Sequence, residues 1–243
     1  ILSLFLVGCG NSNSNTNKDV PTIGISQLVE HPALDSARQG FIDALEDEGF
    51  KDGENISILL ENAQSDIPTT QTIANKLVAD EVAIILAIAT PCAQSAVNAT
   101  RNIPILYTAV TDPVQAGLID SMEKPGGNVT GTSDMNPIKE QFELIKEIFP
   151  NIKKIGGVYN AAEPNSTIHV DIAKKVCKNL GFNLIEATAA SSSEVSQAAQ
   201  TIVGKVDILY TPTDNTVASA IAAVVKVAND AKVPVFGAER AHV

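Results

Sequence analysis

The chain has 243 residues, 44% of them hydrophobic, 19% charged and 4% aromatic, with no Trp. That is enough for one large or two small domains with a real core, and it excludes a disordered or fibrous chain. Seventeen Lys and Arg against 28 Asp and Glu leave a formal net charge of −11 and a pI near 4.7, the wrong sign for tracking a phosphate backbone, so no nucleic-acid partner is expected.

The chain opens on ILSLFLVGCGNSNSNTNKD, an apolar run ended by Gly8 and Cys9 and followed by an Asn/Ser-rich stretch. An apolar segment, a small residue and then Cys resemble the end of a bacterial lipoprotein signal. Lipidation of the Cys9 thiol is therefore expected, with residues 1–19 as signal remnant and flexible tether. Acyl chains on one Cys would hold the protein at a membrane without a spanning segment. No run of about 18 apolar residues is present to cross one.

From residue 20 strands and helices alternate. Residues 21–26 read as a strand, followed by a helix through Ala37, Phe41, Ile42 and Leu45 that Gly49 closes. A strand at 55–60, a helix at about 68–79, an apolar strand at 82–89, a helix at about 92–100 and a strand at 104–108 complete a first set. The run Val82 to Ala89 is apolar on both faces, as in a parallel sheet covered by helices. A Gly/Pro-rich crossing at 125–131 with one short strand leads to a helix at about 138–149. A second set follows: strands at 154–159, 183–187, 206–210 and 233–237, with a helix at about 168–180. The text AIILAIATPCAQSAVNATRNIPILYTAVTD lies beside DILYTPTDNTVASAIAAVVKVANDAKVPVFGAER: buried strand, Thr-Pro turn, Ala-rich helix, Pro-led strand. The expected fold is α/β, two similar Rossmann-like lobes with parallel sheets, residues 20–130 and 131–243. In such sheets ligands sit outside the carboxyl ends of the strands, so the strand-end loops are the informative ones.

Those loops carry polar residues with two readings each. Asp214 and Asn215 stand where a helix begins, either to cap it or to hold a ligand ammonium. Thr90 occupies the matching place in the first half, as helix cap or as partner of a ligand carboxylate beside the helix N-terminus. His31 follows the first strand as loop cap or ligand contact, and Thr108 lies near a strand end. Glu163, Asn165 and Ser166 either close over a ligand or form a solvated turn. No Walker A loop, GxGxxG after the first strand, GxSxG, HExxH or CxxC occurs, and His31, His169 and His242 are scattered, so neither cofactor nor metal is expected. Cys92 and Cys177 fall in different lobes and read as free buried thiols. A non-catalytic binder fits these residues better than an enzyme. The alternative is a two-lobed enzyme such as a racemase, with Cys92 near a helix N-terminus as its suggestive residue.

Taken together, GISQLVEHPALDSARQGFIDAL, ATPCAQ, YTAVTDPVQAGL, PGGNVTGTSD, YNAAEPNS, YTPTDNTVASA and VPVFGAE resemble the ABC transporter substrate-binding lipoproteins of the tryptophan/tyrosine type, from Pro21 to Glu239. The resemblance implies a type I periplasmic-binding-protein fold and two lobes closing over a small ligand, an aromatic or related amino acid. It implies delivery to a membrane permease driven by a separate ATPase, and an extracytoplasmic, lipid-anchored place. It sets the loops bearing His31, Thr90, Thr108, Ser133, Asn165, Ser166, Asp214, Asn215 and Glu239 along the cleft. The family fold continues past the fourth strand of the second lobe, so a missing C-terminal end is expected.

Overall fold

The computed structural model of the chain describes residues 20–239. The Cys9 motif, its tether and His242 lie outside the described residues. The first set runs β1 (Thr22–Gln27), α1 (Pro32–Asp47), β2 (Ser57–Asn62), α2 (Ile67–Ala79), β3 (Ile84–Ile88), α3 (Thr90–Ala99), β4 (Ile105–Val110) and β5 (Val129–Ser133). The second runs α4 (Ile138–Ile148), β6 (Lys154–Tyr159), α5 (Pro164–Leu180), β7 (Asn183–Thr188), α6 (Val195–Val203), β8 (Ile208–Thr211), α7 (Asn215–Ser219), α8 (Ile221–Ala231) and β9 (Val235–Gly237).

The strands form two sheets, β2-β1-β3-β4-β5 and β7-β6-β8-β9, with every pairing parallel. Parallel neighbours need long crossovers, here helices for every pair except β4 and β5, and the helices bury both faces of the central strands; β3 and β8 are accordingly apolar almost throughout. One core cluster fills the first lobe around Ile25, Leu77, Ile85 and Ile105. In the second lobe, Val195, Ile202 and Val224 pack on one side and Phe142, Ile145 and Cys177 on the other. The design repeats down to a glycine in each leading strand. A Cβ at Gly24 would meet Leu77 Cδ2 at 2.9 Å, and one at Gly156 would meet Leu209 Cδ2 at 2.8 Å.

Proline in the first turn marks the start of α1, α2, α3 and α5, where its missing amide costs nothing. Three details differ from the sequence expectation. Helix α5 begins at Pro164, a turn earlier than expected, so Asn165 and Ser166 belong to a helix and not to a loop. Helix α6, which the sequence reading did not set, fills the segment between β7 and β8; its buried Val195, Ala198, Ala199 and Ile202 follow helical spacing. The division expected after residue 130 falls inside β5, which pairs with β4 from Val129 to Ser133, so the first sheet extends to Ser133. Cys92 on α3 and Cys177 on α5 are buried free thiols.

Candidate functional site

In each sheet the connections leave the first strand in opposite directions: β1 lies between β2 and β3, and β6 between β7 and β8. The crevice at such a switch point, at the carboxyl ends of the strands, is where open α/β sheets take ligands. In the first lobe it is flanked by the loop after β1, with His31, and the turn after β3, with Thr90. In the second it is flanked by the turn after β6, leading to Asn165 and Ser166, and the turn after β8, with Asp214 and Asn215. The two crevices face each other. His31 Nε2 lies 3.3 Å from Asn215 Oδ1, and α3 packs against α5.

On the first lobe, buried Gln27 locks the β1–α1 loop. Its Nε2 donates to Val29 O and Asp35 Oδ1, both at 2.8 Å, and its Oε1 accepts from Arg38 Nη1 at 2.7 Å. His31 precedes Pro32 and occupies the N-cap position of α1, yet its side chain makes no capping bond and turns to the other lobe. Thr90 is not the cap of α3; Ala89 holds that place. Thr90 Oγ1 and His31 Nδ1 are buried without a hydrogen-bond partner among the described residues.

On the second lobe two buried carboxylates organise the site. Asp214 caps α7 through Oδ1, which accepts from Val217 N at 2.7 Å, while Oδ2 accepts from Asn160 N and Ser166 Oγ, both at 2.6 Å. Glu163 Oε1 accepts from Thr216 N at 2.9 Å and Thr216 Oγ1 at 2.7 Å. Its Oε2 accepts from Asn215 N at 3.1 Å, Asn215 Nδ2 at 2.5 Å and Asn165 Nδ2 at 3.2 Å. Burial, and after it the Glu163 negative charge, push the Asp214 carboxyl up to about 7 against the pull of those donors. Asn165 Nδ2 also donates to Thr213 O at 3.1 Å, and Asn165 Oδ1 is buried without a partner among the described residues.

Six of the nine residues named from the sequence, His31, Thr90, Asn165, Ser166, Asp214 and Asn215, thus converge at the facing switch points, all buried. The other three lie to the side. Thr108 accepts from Thr132 Oγ1 at 3.1 Å within the first sheet, and exposed Ser133 donates to Thr111 O at 2.7 Å. Glu239 follows β9, where its charge, second to burial among the upward influences, helps raise Asp134 to about 6. Sequence reasoning missed Asn160 and Thr216; Asn160 Nδ2 donates to Thr216 Oγ1 at 2.9 Å. Cys92 is fully buried, and burial pushes its thiol up to about 12, the reverse of an activated nucleophile.

Beside the crevices, Val29, Glu30, Asn62, Gln64 and Ser65 of the first lobe and Ser192 and Ser219 of the second line a cavity of about 410 Å³. A larger one of about 550 Å³, lined by Lys153, Lys154, Lys174 and Lys178, lies at the opposite end of the second sheet, where β6 and β7 begin. Among the described residues no group of three or more His, Cys, Asp or Glu is placed to hold a metal ion, and no helix is long and apolar enough to cross a membrane.

Two parallel-sheet lobes of the same strand order, meeting at their switch points, define a type I periplasmic-binding-protein architecture. Residues 22–243 match the family model described as ABC transporter substrate binding protein, and the chain belongs to that family. It is 52% identical over 247 residues to a tyrosine-binding protein of Clostridioides difficile (strain R20291), covering 98% of this chain and 72% of that one. It is similar to an ABC domain from Streptococcus pneumoniae in complex with L-Trp, with TM-score 0.87 and 37% identity over 92% of this chain and 76% of that one. A ligand-free, open substrate-binding protein with adhesive properties from Clostridium difficile gives TM-score 0.63 at 53% identity, over the same 92% and 76%. Substrate-binding proteins of ABC transporters work outside the cytoplasm.

Proposed function

We propose that this protein is the extracytoplasmic receptor of an ABC importer. It captures an amino acid with an aromatic side chain between its lobes and delivers it to the permease, whose ATPase drives uptake. The observation that carries the reading is the set of His31 Nδ1, Thr90 Oγ1 and Asn165 Oδ1, buried polar atoms from both lobes with no partner among the described residues. Such atoms each cost about 1–3 kcal/mol unless something bonds them, and a ligand that both donates and accepts does so. A zwitterion has that character. Its carboxylate suits the Thr90 hydroxyl and the N-terminus of α3, and its ammonium suits Asn165 Oδ1 in the field of Asp214 and Glu163. The names of the relatives supply the aromatic preference. Thr108, Ser133 and Glu239 then border the route by which the lobes close, and Asn136, in the crossing between β5 and α4, is held to the second lobe by its Nδ2 bond of 2.7 Å to Thr213 Oγ1. Closure is favoured only by a ligand's differential affinity for the closed form. Nothing in this chemistry asks for a reaction, and the fully buried Cys92 thiol takes from the racemase reading the residue that suggested it.

Calorimetric titration of the protein with L-tyrosine and L-tryptophan tests the function. One-to-one binding is expected, with affinity lower by about 1–3 kcal/mol in Thr90→Val, which removes a hydroxyl at constant shape. The unliganded variant should be no less stable, because the hydroxyl it loses has no partner among the described residues. Failure of the folded protein to bind either amino acid sinks the ligand assignment. The anchor is tested separately: the full-length precursor expressed in a bacterium should fractionate with membranes, and Cys9→Ala should become soluble. Incorporation of labelled fatty acid that survives Cys9→Ala removes the lipidation at that residue.

A further inference from the structure

Ala89 has φ 83° and ψ 153°, a combination that costs a residue bearing a Cβ and belongs in practice to glycine. It is fully buried within the first-lobe core, so its methyl is packed as well as strained. Both of its backbone groups are held. The amide donates to Thr108 O at 3.1 Å, and the carbonyl accepts from Ala93 N at 3.1 Å, so β4 and the first turn of α3 pull on one residue from two sides. The next residue is Thr90, whose hydroxyl is buried without a partner among the described residues. Pro91 then fixes the turn's direction through its ring.

The strain is concentrated. Among the described residues, Gln64 (φ 53°) and Ser65 (φ 66°) follow β2 and Ala109 (φ 54°) sits in β4 where its register with β5 shifts. The ends of β2, β3 and β4 on the side facing the second lobe therefore carry positive-φ residues that are not glycine. The remaining two, Glu81 and Lys232, end helices, where that conformation is routine.

We infer that Ala89 is a positioning residue for the ligand, its packed methyl and pinned backbone holding the Thr90 hydroxyl and the first turn of α3 in the orientation that receives the solute. The inference rests on the function proposed above. Glycine would adopt the same dihedral angles without strain, and it would also leave them freely, so the turn would lose its fixed orientation. Stability and binding should then move in opposite directions, which a merely structural alanine would not cause.

The test compares Ala89→Gly with Ala87→Gly, a fully buried residue of β3 with no positive φ. In the ligand-free protein, Ala87→Gly is expected to melt lower by about 2–4 °C, whereas Ala89→Gly melts at or above the wild-type temperature. Hydrogen exchange at residues 90–94 is expected to be faster in Ala89→Gly alone, and its affinity for L-tyrosine or L-tryptophan to fall about tenfold or more. A melting temperature lowered as in Ala87→Gly means that no strain is stored at Ala89 and overturns the inference. So does a higher melting temperature with exchange and affinity unchanged. A wild-type protein that binds neither amino acid withdraws the proposed function, while melting and exchange still decide whether Ala89 holds the turn.

Discussion

Replacing Glu163 by alanine is expected to destabilise the protein by about 3–5 kcal/mol, lowering its melting temperature by roughly 10 °C, because several buried donors lose their acceptor at once. The carboxylate sits at the start of α5 and serves the start of α7, more than 50 residues on, bonding the amides of Asn215 and Thr216, the Thr216 hydroxyl and the side-chain amides of Asn165 and Asn215. These donors belong to the residues that face the first lobe, so ligand affinity should fall with stability. Glu163→Gln is informative beside it. Its amide group must point two hydrogens at donors on one side, so it cannot replace both oxygens, yet it removes the negative charge that helps raise Asp214. A thermal scan in which Glu163→Ala melts within about 1 °C of wild type would show that water serves these donors equally well, and the organising role would fall.

The same residue shows where sequence reading reaches its limit. His31, Thr90, Asn165, Ser166, Asp214 and Asn215 could be found from sequence because each sits where a buried strand gives way to a helix, with Pro32, Pro91 and Pro164 marking three of the starts. Strand and helix order, the twofold repeat and the buried thiols were legible for the same reason: periodicity and punctuation are local. Asn160 and Thr216 were not legible, because what gives them a role is a set of bonds between chain positions 54 and 56 residues apart. Helix α6 was hidden by the Ser-rich text that precedes it and by the small Ala198 and Ala199 on its inner face. The lobe division slipped because β5, Val-Thr-Gly-Thr-Ser, is exposed after its first residue and carries almost no apolar signal. Ala89 was invisible in principle: nothing in the letter says that an alanine stands in a glycine's conformation. Thr108, Ser133 and Glu239 lie on strands or strand ends as read, but β4, β5 and β9 stand outside the two switch points, a fact that only the strand order supplies.

The contribution of Asp214 to stability should decline as pH rises from about 4 to about 7 and stay constant beyond. Its carboxyl is raised in the fold from 3.8 to about 7, by burial first and then by the Glu163 charge, so within that window the folded protein holds a proton that the unfolded chain has already released. Each step upward then ionises a buried group at a cost the unfolded chain does not bear. Asp134, raised to about 6 chiefly by burial, acts in the same direction over the lower part of the window. Both carboxyls contribute to the slope, and Asp214, raised the further of the two, carries its upper end. Urea denaturation across pH 4 to 8 is expected to show this slope in the wild type and to lose its upper part in Asp214→Asn. A ligand ammonium reverses the balance, since it favours the ionised carboxylate; binding of L-tyrosine should release protons below about pH 7 and tighten as pH rises through that range. Titration calorimetry in two buffers of different ionisation enthalpy reads the released protons directly. Binding with no proton release at pH 6 would mean that the ammonium does not feel this carboxylate, and would confine Asp214 to capping α7 and tying it to Asn160 and Ser166.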